Sequence, residues 1–307
     1  MAKAMARQPD DLERILADSG PVEAAAARVA GRRLFVVGTG TSFHAAHQGA
    51  YFLRLAGADA LAVSAADAAL HGPRPTPADA LVLLSHRGTK RYTSEVLERA
   101  RGEGIPTVAI SGIGAPGADI ETVEQEKAGT FTTSHLGALA RLAQLAVALG
   151  ADLGELGAVP GAISTALHAP SPGVELPERG LDYVGAGPNA WTAAEGALKV
   201  REAAHVFTAG WAAEQFLHGP SWALGSRDAL VSLDGGGPES ARLAELDDAI
   251  ERRGARVYRF AAAPELGEPL SVFPLTVVVQ RIALEFALRL GTDPDDVSPP
   301  EWRAIGL

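Results

Sequence analysis

The chain has 307 residues, 47% of them apolar, with 27 basic against 37 acidic side chains and a formal net charge of −10. That exceeds one typical domain, so two domains or one large α/β unit is expected, and the acidic balance argues against a general nucleic-acid or membrane-surface binder. Cysteine is absent, which excludes disulfides and thiolate metal sites and suits a reducing cytosol.

The opening stretch MAKAMARQPDDLERILADSG has no apolar core like that of a secretory signal, and no uncharged run approaches membrane-spanning length. A soluble cytoplasmic protein without membrane partners is the expectation. From Asp10 to Ala30, apolar residues among charges and alanines suggest one or two short helices broken by Gly20 and Pro21. The run LFVVG then reads as a buried strand from Leu34 to Val37, followed by a glycine-rich turn and a helix to about Leu55. Ala58 to Val63 is a candidate second strand. Ala80 to Ser85 is a better one, followed by the loop HRGTK, a helix near Tyr92 to Glu103 and another strand from Thr107 to Ser111. Short apolar strands alternating with helices indicate a parallel sheet covered on both faces.

A helix over Ala138 to Leu149 and a second helical patch lead to PSPGVELPERG, whose prolines and glycines make the best linker. Beyond it, LDYVGAGPNAWTAAEGALKV repeats the order of strand, glycine-rich turn and helix. Asp228 to Leu233 resembles the strand at Ala80, a helix follows from about Glu239 to Arg253, and ARVYRF is a further strand. Two similar modules are therefore expected. A last apolar helix spans roughly Leu275 to Leu290, and the tail DPDDVSPPEWRAIGL is too rich in proline and acid to continue it.

Two places offer chemistry. In the first module, backbone N–H groups of Gly38 to Ser42 would point outward where a helix begins, with the Thr41 and Ser42 hydroxyls alongside, a terminus suited to anions. The loop Ser85 to Lys90 follows a neighbouring strand and adds hydroxyl, imidazole, guanidinium and ammonium groups. Two such loops can enclose one phosphate at the carboxyl ends of parallel strands. The plainer readings are a capped tight turn and a solvated charged loop. A dinucleotide site fails on spacing, because Phe43 occupies the third glycine position of GxGxxG. His44 and His47 can share a helix face, but with no acidic partner near in sequence they propose no metal. The second place is Glu195 to Pro220. Glu195, Lys199 and Glu202 fall at i, i+4 and i+7 on one helix face, and His218 precedes a Gly-Pro stop. Such a trio alone is ordinarily a solvated salt-bridge row.

Taken together, these pieces resemble the sugar isomerase (SIS) domain family in its tandem form, the isomerase half of glutamine-dependent fructose-6-phosphate amidotransferases (glucosamine-6-phosphate synthases). The likeness runs from about Arg33 to Asp293 through GTS at Gly40 to Ser42, the loop Ser85 to Lys90, EGALKVRE at Glu195 to Glu202, HGP at His218 and GTD at Gly291 to Asp293. It implies an α/β fold of two SIS domains, each a doubly wound, mainly parallel sheet flanked by helices. The boundaries are a helical segment over 1–32, SIS domains over 33–152 and 179–292, a helical linker over 153–178 and a tail over 293–307. It further implies that Thr41, Ser42, Ser85, His86, Arg87, Gly88 and Lys90 hold a sugar phosphate. Glu202 matches the carboxylate that moves the proton between C1 and C2, Lys199 a supporting lysine, and His218 a ring-opening histidine supplied by a neighbouring subunit. A homodimer with a shared active site, and no cofactor, follows from the resemblance.

Three departures shape the functional expectation. No glutaminase domain precedes the pair and no cysteine exists to serve as its nucleophile, so amidotransfer from glutamine is not expected. Arg87 and Lys90 stand where the family usually carries small hydroxyl residues, and His86 replaces an amide. The family's C-terminal lysine has no match in PPEWRAIGL, where Arg303 stays protonated. The expectation is a phosphosugar isomerase or an amino-sugar-phosphate deaminase, with a non-catalytic sugar-phosphate sensor as the alternative.

Overall fold

The computed structural model describes residues 1–296, 299, 301 and 302. In chain order the elements are α1 (Ala2–Ala6), α2 (Gln8–Ala17), α3 (Gly20–Val29), β1 (Leu34–Gly38), α4 (Thr41–Leu55), β2 (Ala60–Ser64), α5 (Ala65–Leu70), β3 (Ala80–Leu84), α6 (Arg91–Gly102), β4 (Thr107–Ser111), β5 (Ile120–Glu121) and α7 (Thr133–Ala148). Then follow α8 (Val159–His168), β6 (Gly180–Gly185), α9 (Asn189–Ala204), β7 (Thr208–Ala212), α10 (Ala213–Leu217), β8 (Asp228–Asp234), α11 (Ser240–Arg252), β9 (Arg256–Ala261) and α12 (Gly267–Leu290). Two compact units divide the chain: Arg7–Lys127 with Phe131–Gly157, and Met1–Ala6 and Ala128–Thr130 with 158–296.

The first unit is built on a five-stranded parallel sheet of order β2-β1-β3-β4-β5. Every residue of β1, β3 and β4 is buried, as expected of central parallel strands covered on both faces, which read as unbroken apolar runs. Gly49 lets α4 and α7 approach closely, since a Cβ there would lie 2.6 Å from Leu142. Gly20 and Pro21 do not merely break the N-terminal helix. They open α3, where proline's missing N–H costs nothing in the first turn. Both α2 and α3 pack on α7, and the buried Arg141 guanidinium ties α7 to the Ile15 and Asp18 carbonyls.

The second unit carries a four-stranded parallel sheet of order β7-β6-β8-β9. Counted from the first strand of each sheet, the first four strands of both follow the same order. Helices α9 and α12 pack against each other, and a Cβ at Gly196 on α9 would lie 2.9 Å from Val279 and 3.0 Å from Tyr183. Helix α8 packs on α12, with Arg281 donating to the Ala166, Ala169 and Pro170 carbonyls.

Two features of the second unit differ from the sequence reading. Helix α12 starts at Gly267 rather than near Leu275 and runs through Pro274. An internal proline costs about 3 kcal/mol, but Leu270, Phe273, Pro274 and Val277 are all buried, and that burial outweighs it. The stretch between α9 and His218, given no element above, holds β7 and α10. Strand β7 pairs with β6, and Gly210 allows it to press on α9, where a Cβ would lie 2.4 Å from Ala193 O. Pro264–Leu290 is long and apolar enough to cross a membrane, but 78% of its most apolar window is buried, so it is a core helix.

Candidate active site

At the C-terminal edge of the first sheet, a pocket is lined by Thr41, Ser42, Ser85, His86, Ser111, Thr122, Phe131, Ser134 and His135, with Ala45, Leu84, Ile110 and Ala138 beneath. Hydroxyl groups dominate its polar lining. Thr41 and Ser42 arrive there because Gly38 ends β1 without a side chain: a Cβ at Gly38 would lie 2.2 Å from Ser42 O. Gly40, at φ 58°, then turns the chain into α4. Not all the amides expected to face outward do so. The Ser42 N–H donates to Thr39 O instead, and just beyond that stretch the Phe43 and His44 amides donate to Gly40 O.

Ser85 follows β3 and is buried, its Oγ 3.3 Å from Thr93 Oγ1 and its N–H donating to Ile110 O. His86 is half-buried, and Nε2 accepts the Glu126 N–H at 2.9 Å. Burial, aided by Arg87, holds the imidazole below its usual pKa against the opposing pull of Glu126. The remaining members of this loop do not line the pocket. Arg87 is exposed, with its guanidinium 5.2 Å from the Phe131 ring centroid, and donates to Glu126 O at 3.4 Å. Gly88 serves the turn: at φ 68° its Cβ position lies 2.8 Å from Pro116 O. Lys90 is exposed just before α6.

Five polar or aromatic lining residues escaped the sequence reading: Ser111, Thr122, Phe131, Ser134 and His135. Ser111 carried a usable signal, since it closes β4 as Ser85 follows β3. The segment FTTSH before and within the first turn of α7 carried another, being rich in hydroxyls at a helix start. Elsewhere on α4, burial first and then His44 and Arg54 hold the His47 imidazole down to about 4.

In the second unit, Lys199 and Glu195 are fully buried and 28% of the Glu202 side chain is exposed. Lys199 Nζ lies 2.6 Å from Glu202 Oε2 and 3.4 Å from Glu195 Oε1. The trio is therefore not the solvated row that such spacing ordinarily gives. Burial acts to lower the Lys199 pKa, but the two carboxylates outweigh it and hold the ammonium above its usual value. Helix α9 ends at His205, a non-glycine residue in the left-handed region at φ 57°. His218 caps α10 with its side chain 72% exposed, and Nε2 lies 3.1 Å from Glu214 Oε1. Arg242 also reaches Glu214, at 3.5 Å. Thus α9 joins Glu195, Lys199 and Glu202, whereas His218 is bonded to Glu214. Arg303, considered above against the family's C-terminal lysine, lies outside the described residues.

Comparison with known proteins points to a class: residues 29–148 match the SIS domain family. Among curated relatives, the chain is similar to the glutamine–fructose-6-phosphate aminotransferase (isomerizing) of Aeropyrum pernix, 26% identical over 96% of this chain and 55% of that protein. The chain spans about half the length of the curated relatives it matches. Solved structures share its fold. Tagatose-6-phosphate ketose/aldose isomerase from Escherichia coli matches with a TM-score of 0.81 and 18% identity over 97% of this chain and 96% of that one. Glucosamine-6-phosphate deaminase from Thermotoga maritima gives 0.80 and 20% over 97% of each chain.

Proposed function

We propose that this chain is an enzyme acting on a sugar phosphate or amino-sugar phosphate, by aldose–ketose isomerisation or by removal of an amine. The observation that carries the proposal is the Lys199–Glu202 pair at 2.6 Å, with the ammonium fully buried and the carboxylate partly open to solvent. A salt bridge built only for stability has no need of a buried lysine held by two carboxylates, and perturbed buried groups concentrate at functional sites. The hydroxyl-lined pocket of the first unit supports the other half of the reading, since Thr41, Ser42 and Ser85 offer neutral donors to a phosphate at the carboxyl ends of parallel strands. Relatives named as an aminotransferase, a ketose/aldose isomerase and a deaminase all handle phosphorylated sugars by name.

In this reading Glu202 takes the proton from the carbon beside the open-chain carbonyl or imine and returns it to the neighbouring carbon. Lys199 steadies the carboxylate and, being held charged, does not compete as a base. For deamination, water then adds to the resulting imine carbon and ammonia leaves, with no lysine imine required. The second unit, whose strand order repeats that of the first, is a second SIS domain over 179–292, and the protein is a homodimer in which His218 of one subunit assists ring opening for the other. The exposure of His218 supports that assignment. The test is turnover of a panel of hexose and hexosamine 6-phosphates, followed for isomer and for ammonia, with Glu202→Gln as control. Turnover lost in the variant supports the enzyme; tight binding of a sugar phosphate without turnover supports a sensor instead.

A further inference from the structure

The hydrogen bond between His86 and Glu126 has a role that its residue types do not advertise. Nε2 of His86 accepts the Glu126 N–H, so that nitrogen carries no proton and the imidazole is neutral with its proton on Nδ1. Nδ1 is buried, has no hydrogen-bond partner among the described residues, and packs against Gly112, where a Cβ would lie 2.8 Å away. With Nε2 occupied, His86 is poorly placed to donate to a phosphate as its position in the loop had suggested.

What His86 holds instead is the residue that organises the pocket wall. Glu126 is 5% exposed. Its carboxylate accepts the Thr132 N–H at 3.0 and 3.1 Å, the Thr132 hydroxyl at 3.1 Å and the Ser134 N–H at 2.8 Å. It thereby caps the start of α7, whose first turn carries the pocket residues Ser134 and His135. Phe131 of the same wall meets the His86 ring edge-on, 5.2 Å between centroids. Imidazole, capping carboxylate and helix start form one connected set.

We propose that His86 is a positioning residue: as a neutral imidazole it latches the Glu126 backbone and so fixes the wall formed by Phe131, Ser134 and His135 against the phosphate pocket. This rests on the reading of that pocket as a phosphate site. A proton on Nε2 would set two donors against each other and open the latch. The charged groups acting on the ring are Arg87 on its own loop and the Glu126 carboxylate, and His135 on α7 lines the same pocket. Thr41 and Ser42 of α4 bring only hydroxyls.

The test compares His86→Gln, whose amide oxygen reaches the Nε2 position and accepts at any pH, with His86→Ala, which cannot. Two readouts are taken from pH 5 to 8: amide hydrogen exchange of the Glu126, Thr132 and Ser134 positions, corrected for intrinsic rates, and inorganic phosphate affinity. His86→Ala is expected to speed exchange and weaken phosphate about five- to tenfold, the weight of one hydrogen bond. Wild type should drift toward that behaviour as pH falls, whereas His86→Gln should stay protected throughout. Exchange in His86→Gln as fast as in His86→Ala, or a pH profile shared by wild type and His86→Gln, overturns the proposal. Exchange that follows the prediction in a protein that binds no phosphate upholds the latch and removes the phosphate reading; phosphate binding with exchange unchanged in all variants removes the latch alone.

Discussion

Lys199 Nζ lies 2.6 Å from Glu202 Oε2 within a helix whose other carboxylate, Glu195, is fully buried against the same ammonium. Removing the cation takes away the ammonium that faces the fully buried Glu195 carboxylate. Lys199→Met is therefore expected to destabilise the protein by about 3–5 kcal/mol, read as a shift of the denaturant midpoint. Glu202→Gln should change stability by less than about 1 kcal/mol, because Glu195 still pairs with Lys199, while lowering kcat at least a hundredfold, on the order of what a general base contributes.

Arg87 and Lys90 are exposed and outside the pocket lining. Alanine at either position is expected to change sugar-phosphate affinity by less than about threefold, whereas Ser85→Ala should weaken it roughly five- to tenfold through loss of one buried hydrogen bond. Isothermal titration of the three variants separates them. A tenfold loss at Arg87 would return that guanidinium to the binding set.

Gly38 ends β1 beneath the first turn of α4, with its Cβ position 2.2 Å from Ser42 O. Gly38→Ala must push that turn away from the pocket. A loss of about 2–4 kcal/mol, together with loss of phosphate binding, is the expected outcome in thermal unfolding and titration.

Asp247 on α11 is buried beside Arg259 of β9, 3.3 Å away, and burial pushes its carboxyl up to about 6 despite Ser232 and Arg259. The folded state therefore holds this proton more tightly than the unfolded state, whose value is near 3.9. Its contribution to stability is complete below about pH 4 and is lost as pH rises through about 6, up to roughly 3 kcal/mol. Asp247→Asn should raise stability at pH 7 and leave it nearly unchanged at pH 4, in chemical denaturation at the two pH values.

If His218 serves the partner's site, Glu202→Gln and His218→Ala proteins are each inactive alone. Mixed after dissociation, random pairing should recover about a quarter of wild-type activity, since half of the dimers are mixed and each has one intact site. No recovery in mixed dimers would place both residues in one subunit's site.

The central strands were legible because β1, β3 and β4 are buried on both faces, a constraint that allows only apolar residues and leaves an unbroken run in the sequence. Strand β7 was not: Thr208–Ala212 contains glycine and tryptophan and earns its place through the approach of Gly210 to α9, a tertiary fact. Within the pocket, Thr41, Ser42 and Ser85 could be read because each lies just beyond a recognisable strand. Glu126, Phe131 and Ser134 are joined to His86 across about forty residues of chain, and no local pattern signals that meeting. The charges of Arg87 and Lys90 drew attention in the sequence for the same reason they lie outside the pocket: long cationic side chains favour solvent. Spacing placed Glu195, Lys199 and Glu202 on one face, but only the folded chain shows that Glu195 and Lys199 are buried while Glu202 stays partly open.

The most direct measurement is solvent deuterium incorporation into a hexose 6-phosphate, followed by NMR at C1 and C2 in D2O. The account predicts protein-dependent exchange at those carbons that is abolished in Glu202→Gln while phosphate binding persists. Bound sugar phosphate with no exchange, or exchange undiminished in Glu202→Gln, would contradict it.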